Sequence, residues 1–356
     1  MKLYEQIAAD LEEKIRRGDI AAGEPLQTEV DLAKAYGVSR STVRQALSRL
    51  QQLGLITREV GRGTFVRSSP PESVHLAVYD DFSRLFDPDD LFMRLWKAVA
   101  ERMHEANVEV HAVALDKERP LREVLLADYA RGTRGVMLIT FAPVEKSDLY
   151  PVIQRGLPLV LLNRYVHGPG VHSVTLDDFG GMRAAVHHLN IRGHRRIALV
   201  NWTIAPRTTF DDRIAGYRRA MEELGLAGEA REYEMVPTER AAADVLKRAQ
   251  ADGVTALACV AGYLALEIRR TAVGLGIRIP EQMSLVGFGD RLRVEQTGIT
   301  HVDYRTGELG RTAAEAMLAL VAGRRDVPGR RLIPTRVVEG ETVAPPPAGA
   351  DRAFAR

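Results

Sequence analysis

Short, predominantly apolar runs alternate with helix-like stretches through most of this chain. Val74-His75-Leu76-Ala77-Val78-Tyr79, Val108 to Leu115, Gly135-Val136-Met137-Leu138-Ile139 and Pro158-Leu159-Val160-Leu161-Leu162 read as strands, with Asp90 to Asn107 and Leu121 to Ala130 as helices between them. Arg196-Ile197-Ala198-Leu199-Val200, Ala256 to Val260 and Ser284-Leu285-Val286-Gly287-Phe288 continue the series. Strands so uniformly apolar are covered on both faces, so the expected fold class is α/β with parallel, doubly wound sheets. In such sheets ligands sit beyond the carboxyl ends of the strands.

The amino-terminal stretch follows a different pattern. Leu3 to Ile15 and Thr28 to Tyr36 read as amphipathic helices, the second ended by Gly37 as a C-cap. Ser39 then caps a third helix whose Val43, Ala46, Leu47 and Leu50 recur at helical spacing and pack inward. That leaves Arg40, Ser41, Thr42, Arg44, Gln45 and Ser48 facing outward. Leu55 to Glu59 and Thr64 to Arg67 are β-rich and joined by a turn around Gly61 and Gly63, a hairpin pattern. Between Ser39 and Arg67 the one acid is Glu59, against six arginines, so this surface is locally positive although the formal net charge of the chain is +2. Helix, helix, tight turn, helix and β wing is an arrangement for duplex DNA; an arginine-rich helix standing alone would read equally well as a solvated face.

Ser68-Ser69-Pro70-Pro71-Glu72-Ser73 has the composition of a semi-rigid spacer. It separates a module over residues 1–68 from a region over 74–344, with 69–73 as linker and 345–356 expected as a disordered tail. The length of 356 residues and the 46% hydrophobic content allow two to three domains. A single cysteine excludes a disulfide framework, and Cys259, inside an apolar run, reads as a buried strand residue. No leader segment is evident and no apolar run approaches the about 18 residues a membrane span needs, so a cytoplasmic protein without a membrane partner is expected. His187, His188 and His194 gather around a helix end without zinc spacing, Gly289 and Asp290 form no phosphate-binding loop, and no nucleophile triad emerges. The expectation is a binding protein with no metal and no cofactor, not an enzyme.

Two resemblances sharpen this. Leu3-Tyr4-Glu5-Gln6-Ile7, Thr28-Glu29, Gly37-Val38-Ser39-Arg40-Ser41-Thr42-Val43-Arg44-Gln45-Ala46-Leu47, Gly54-Leu55-Ile56 and Gly61-Arg62-Gly63-Thr64-Phe65-Val66 resemble the winged-helix DNA-binding domain of GntR-family bacterial transcription regulators. The resemblance implies that Arg40, Ser41, Thr42 and Arg44 contact phosphates and base edges, that Gly63 and its neighbours follow the minor groove, and that Thr28, Glu29, Ser39, Gln45 and Arg62 complete the set. Gln27 stands where that family often has Pro, and Val30 where it often has a DNA-contacting Arg. Farther on, Gly156 to Arg164, Val174-Thr175-Leu176-Asp177-Asp178, Arg192-Gly193-His194-Arg195-Arg196, Arg213-Ile214-Ala215-Gly216-Tyr217, Gly276 to Gly289 and Gly307 to Arg311 resemble the effector domain of LacI/GalR regulators. That implies two periplasmic-binding-protein-like lobes crossed three times by the chain, closing on a small molecule and dimerising. A GntR head on a LacI-type body is similar to the arabinose-repressor branch.

Effector candidates lie just past strand ends: Tyr79 and Phe82, Phe141, Asn163 and Arg164, Asp177, Trp202, Arg207 and Thr209, with Tyr263 and Asp290. Arg213 matches a family position whose guanidinium reaches the effector; the competing reading is an ion pair with Asp177 or Asp212. Ala261-Gly262 and Gly287-Phe288-Gly289-Asp290 depart from the sugar-binding pattern, which carries a carboxylate at position 289. Another residue replaces that carboxylate, or the effector is not a free monosaccharide; Arg164, Arg207 and Arg213 would suit an acidic or phosphorylated sugar. The expected function is a repressor whose affinity for double-stranded operator DNA falls when effector binds. The alternative is a metabolite sensor acting through protein partners without DNA.

Overall fold

The computed structural model describes residues 3–17, 19–21, 23–52, 55–59, 62–66, 73–79, 91–130, 132–140, 143–202, 208–289 and 297–348. The head comprises α1 (Leu3–Arg17), α2 (Glu29–Tyr36), α3 (Arg40–Gln52), β1 (Ile56–Glu59) and β2 (Gly63–Val66). Thr28 caps α2 by accepting from the Asp31 N–H, and Gly37 ends that helix at φ 63°, a conformation that favours glycine. The Ser39 hydroxyl accepts from the Thr42 N–H, as an N-cap of α3 should. Ile7 and Leu11 of α1 meet Leu32, Val43, Ala46, Leu47 and Leu50, and Ile56 and Val66 close the small core from the antiparallel hairpin.

The rest of the chain forms two lobes. The first contains β3 (Ser73–Val78), α4 (Leu91–Glu105), β4 (Glu109–Ala114), α5 (Leu121–Ala130), β5 (Gly135–Ile139), α6 (Lys146–Ile153), β6 (Leu159–Leu162) and β7 (His172–Leu176). The second contains α7 (Asp178–Ile191), β8 (Ile197–Trp202), α8 (Thr208–Glu223), β9 (Arg231–Met235), α9 (Glu239–Ala251), β10 (Ala256–Cys259), α10 (Gly262–Gly274), β11 (Ser284–Phe288) and β12 (Thr300–Asp303). The chain then returns for α11 (Thr306–Val321) and β13 (Arg330–Ile333) in the first lobe, and ends with β14 (Arg336–Val338) in the second. The three crossings expected from the resemblance are thus β7 to α7, β12 to α11 and β13 to β14.

The sheet orders are β13-β7-β6-β5-β3-β4 and β14-β12-β11-β10-β8-β9. All pairings are parallel except β12 with β14, a departure from the wholly parallel expectation. The reason is the connection: β14 enters the second lobe directly from β13 with no returning helix, so it runs against its neighbour. The edge strand β4 is also less covered than its sequence implied, leaving Glu109, His111, Ala112 and Ala114 exposed. Elsewhere the strands are buried as the apolar runs require: β6, β10 and β11 are buried at every position. Two boundaries shift. Ser73, expected in the linker, opens β3, and residues 345–348, expected in the tail, are described, with Pro346 and Pro347 half-buried. No helix among the described residues is long and apolar enough to cross a membrane.

Candidate functional site

The outward face of α3 is built as its apolar stripe dictates. With Val43, Ala46, Leu47 and Leu50 fully buried, Arg40, Ser41, Arg44 and Gln45 are exposed. Ser39, Ser41 and Thr42 form one hydroxyl cluster, the Ser39 Oγ lying 2.7 Å from Ser41 Oγ and 2.8 Å from Thr42 Oγ1. Thr28 is spent on its cap, where its hydroxyl also donates to Asp31 at 2.6 Å. On the hairpin, Arg62 lies 5.7 Å over the Phe65 ring and Gly63 takes φ 121°. Val30, on the same approach, is 40% exposed. Glu29, taken as a DNA contact, sits at 22% side-chain exposure between Arg44 and Arg58, 3.0 Å from a nitrogen of each. The Arg44 hydrogen bond holds the Glu29 carboxyl below its ordinary value, so it is ionised at neutral pH.

The expected effector residues follow strand ends in both lobes, which meet where Arg330 and Tyr165 contact Asp212. Tyr79 follows β3, Asn163 and Arg164 follow β6 and Asp177 follows β7; in the second lobe, Trp202 ends β8 and Phe288 ends β11. Tyr79 turns its hydroxyl to the Arg119 carbonyl at 2.7 Å. Arg164 is buried and its Nε donates to the Thr140 carbonyl at 3.3 Å. Asn163 adopts φ 52°, a left-handed conformation Asn tolerates, and its Oδ1 is buried with no partner among the described residues. Asp177 caps α7 by accepting from the Gly180 N–H at 2.9 Å. Trp202 packs edge-on against Tyr263, ring centroids 4.7 Å apart, and near Phe210 at 6.3 Å. Thr209 is half-buried in the first turn of α8. Phe82, Phe141, Arg207 and Asp290 lie outside the described residues.

Arg213 departs from the ion pairs expected of it. Its partner is Asp178, not Asp177 or Asp212: Nε meets Asp178 Oδ1 at 2.7 Å, and Nη1 donates to the Val260 carbonyl. The guanidinium stacks 3.9 Å over the Phe288 ring, with Phe210 and Tyr304 at 5.0 and 5.3 Å. Burial pushes the Asp178 carboxyl up to about 6, Arg213 pulls against that shift, and the carboxylate stays charged at pH 7. Asp178 Oδ2 is buried without a partner among the described residues. Because Asp177 caps the helix, the next residue is the one that turns inward; the Asp177-Asp178 doublet was the available signal. Arg213 is therefore a buried charge already matched by Asp178, which withdraws one of the three arginines behind the expectation of an anionic effector.

A second cluster joins the lobes and had no local sequence signal, its members being far apart in the chain. Arg330 of β13 lies 3.6 Å over the Tyr165 ring and 3.3 Å from Asp212 of α8, while the Tyr165 hydroxyl donates to Asp212 at 3.2 Å. Arg330 Nε also donates to Thr175 at 3.0 Å. Elsewhere, burial pushes the Cys259 thiol up, as suits an inert strand residue. The three histidines point apart: His187 to Glu223 at 3.1 Å, His188 toward Glu339 at 3.9 Å, and His194 into the core, bound to Thr255 and Ser284 at 2.9 Å each. Among the described residues, no group of three or more His, Cys, Asp or Glu is placed to hold a metal ion.

Residues 3–66 match the model of bacterial regulatory proteins of the gntR family, and residues 186–343 that of the periplasmic binding protein-like domain. The HTH-type transcriptional regulator GalR of Escherichia coli is 30% identical over 322 residues, 84% of this chain and 90% of that protein. The chain belongs to the LacI/GalR family of transcription regulators. This LacI/GalR regulator carries a gntR-type head, and it is also 25% identical, over 90% of its length and 92% of the relative, to the arabinose metabolism transcriptional repressor of Geobacillus stearothermophilus. Its fold matches that of the transcriptional regulator CelR in complex with cellobiose, with a TM-score of 0.65 and 21% identity over 89% of this chain and all of that one.

Proposed function

We propose that this regulator is a cytoplasmic repressor that binds operator DNA as a homodimer and releases it when a sugar or sugar derivative closes the two lobes. The observation that carries the reading is the Arg213–Asp178 pair under Phe288, Phe210 and Tyr304, set past the carboxyl ends of β10 and β11 and beside the β7-to-α7 and β12-to-α11 crossings. Aromatic faces stack on sugar rings and fixed polar groups orient them. Asp178 Oδ2 and Asn163 Oδ1 are acceptors suited to hydroxyl donors, and a matched Arg213 favours a neutral polyol over a phosphorylated one. The arabinose and cellobiose named for the relatives fit that class. The chain does no chemistry on its ligand in this reading; it converts differential affinity into coupling of about 1 to 3 kcal/mol between sugar and DNA.

The test has two stages. Duplexes captured from genomic fragments by the full-length protein supply an operator, and calorimetric titration screens ribose, arabinose, cellobiose, gluconate and glucose 6-phosphate. A neutral sugar that binds should weaken the operator complex roughly 5- to 150-fold in a gel-shift titration. Failure to prefer any duplex would overturn the repressor reading; a sugar that binds without moving operator affinity would overturn the coupling. Binding of glucose 6-phosphate alone would reverse the choice of a neutral effector.

A further inference from the structure

We propose that Glu29 is a positioning residue that presents Arg44 to a single base and thereby sets sequence selectivity, without touching DNA itself. Glu29 opens α2, Arg44 lies on the exposed face of α3 and Arg58 on β1, so one carboxylate ties together both helices of the turn and the hairpin strand. Its two oxygens take the Nε and Nη2 of Arg44, at 3.3 and 3.0 Å to Oε2, and the Nη2 of Arg58 at 3.0 Å to Oε1. Arginine has five N–H donors in a rigid fork. Glu29 occupies the Nε–Nη2 side, which leaves the Nη1–Nη2 end pointing away from it, and that end is the edge that pairs bidentately with the O6 and N7 of guanine.

Three features favour positioning over direct contact. The carboxylate already bonds two arginines, and its side chain is 22% exposed. An ionised carboxylate facing a phosphate backbone is repelled, so its presence on a cationic face lowers affinity for every sequence alike. Finally, an exposed arginine left unheld, as Arg44 would be at 60% side-chain exposure, distributes over rotamers and over neighbouring phosphates. Glu29 trades general affinity for a fixed guanidinium, and selectivity is the difference between the two affinities.

The inference rests on the DNA-binding reading, and a double-mutant cycle in the full-length protein separates the two. A randomised duplex library first yields the preferred sequence of the wild type. Affinities for that duplex and for a random duplex are then measured for Glu29→Ala, Glu29→Gln, Arg44→Ala and Glu29→Ala with Arg44→Ala. Glu29→Ala should lower the specific-to-random ratio roughly 5- to 150-fold, the span expected for one bidentate base contact, while affinity for random duplex holds or rises. The double variant should match Arg44→Ala alone, because without Arg44 there is nothing to position. Glu29→Gln, which keeps an acceptor oxygen, should retain part of the ratio. An unchanged ratio, or additive losses in the double variant, overturns the inference, the second result showing that Glu29 reads a base directly. Parallel losses on both duplexes in Glu29→Ala and Glu29→Gln would overturn it as well, marking a merely structural residue. A wild type without any preferred sequence would overturn the DNA-binding reading itself.

Discussion

Replacing Asp178 with leucine should be among the most damaging single changes in the second lobe. Both members of the Arg213–Asp178 pair are at most 1% exposed, and leucine would leave the guanidinium with the Val260 carbonyl and the Tyr304 hydroxyl. Removing one partner of a buried pair costs about 3–5 kcal/mol, a large part of the about 5–15 kcal/mol that holds a domain folded. Asparagine is a different perturbation. Its amide oxygen still accepts from Arg213, and the raised carboxyl of Asp178 shows that burial penalises the charge by more than Arg213 restores. Asp178→Asn should therefore be at least as stable as the wild type at pH 7. Arg213→Met combined with Asp178→Leu should regain most of the loss, since it removes the buried charge altogether. Urea unfolding followed by the fluorescence of Trp202, which packs in this lobe, reads all three. A cost below about 1 kcal/mol for Asp178→Leu, or no recovery in the double variant, would refute an anchoring role for the pair. The pH dependence gives an independent check. With a folded value of about 6 against an ordinary 3.8, the folded state holds a proton that the unfolded state has already released. The stability of the wild type relative to Asp178→Asn should fall as pH rises from about 4 to about 6; a flat difference would count against the assignment.

Other changes probe other links. Leu47→Ala opens the fully buried core of the small head and should cost about 2–5 kcal/mol, abolishing gel shifts while sugar titrations of the lobes are unaffected. Tyr217→Phe strips a buried hydroxyl that donates to the Ile197 carbonyl at 2.8 Å and accepts from the Arg231 N–H at 3.0 Å. It should cost about 1–3 kcal/mol in urea unfolding, because the N–H is left unsatisfied. Asp212→Ala cuts the contacts with Arg330 and Tyr165 that bridge the lobes. It should loosen them, raising the radius of gyration in solution scattering, and an unchanged scattering profile would show that the cluster does not hold the lobes together.

Much of the head was legible because its information is local. A cap at Thr28, a left-handed Gly37, a cap at Ser39 and an apolar stripe from Val43 to Leu50 each act within one or two helical turns, and the helices begin and end where those residues require. The α/β body was legible for a related reason: short apolar runs alternating with helix-like stretches fit interior parallel strands, and β5, β6, β10 and β11 appear there. The edge strand β4 was expected but is more exposed than its run implied, and no strand was expected at the reversed β14 or at the interior β7 and β12.

Period, capping and apolar length therefore determined, from the sequence, which segments fold and into what class of lobe, because those effects act between near neighbours. Only the tertiary structure decided which charges meet. The expected partners of Arg213 were Asp212, its neighbour in the chain, and the distant Asp177, whereas the fold brings Asp178 to it and stacks its guanidinium on Phe288; Arg330 and Asp212 come together because β13 returns to the first lobe beside an α8 that belongs to the second. Such pairings depend on how remote elements cross, and a side chain's spacing along the chain carries no record of that.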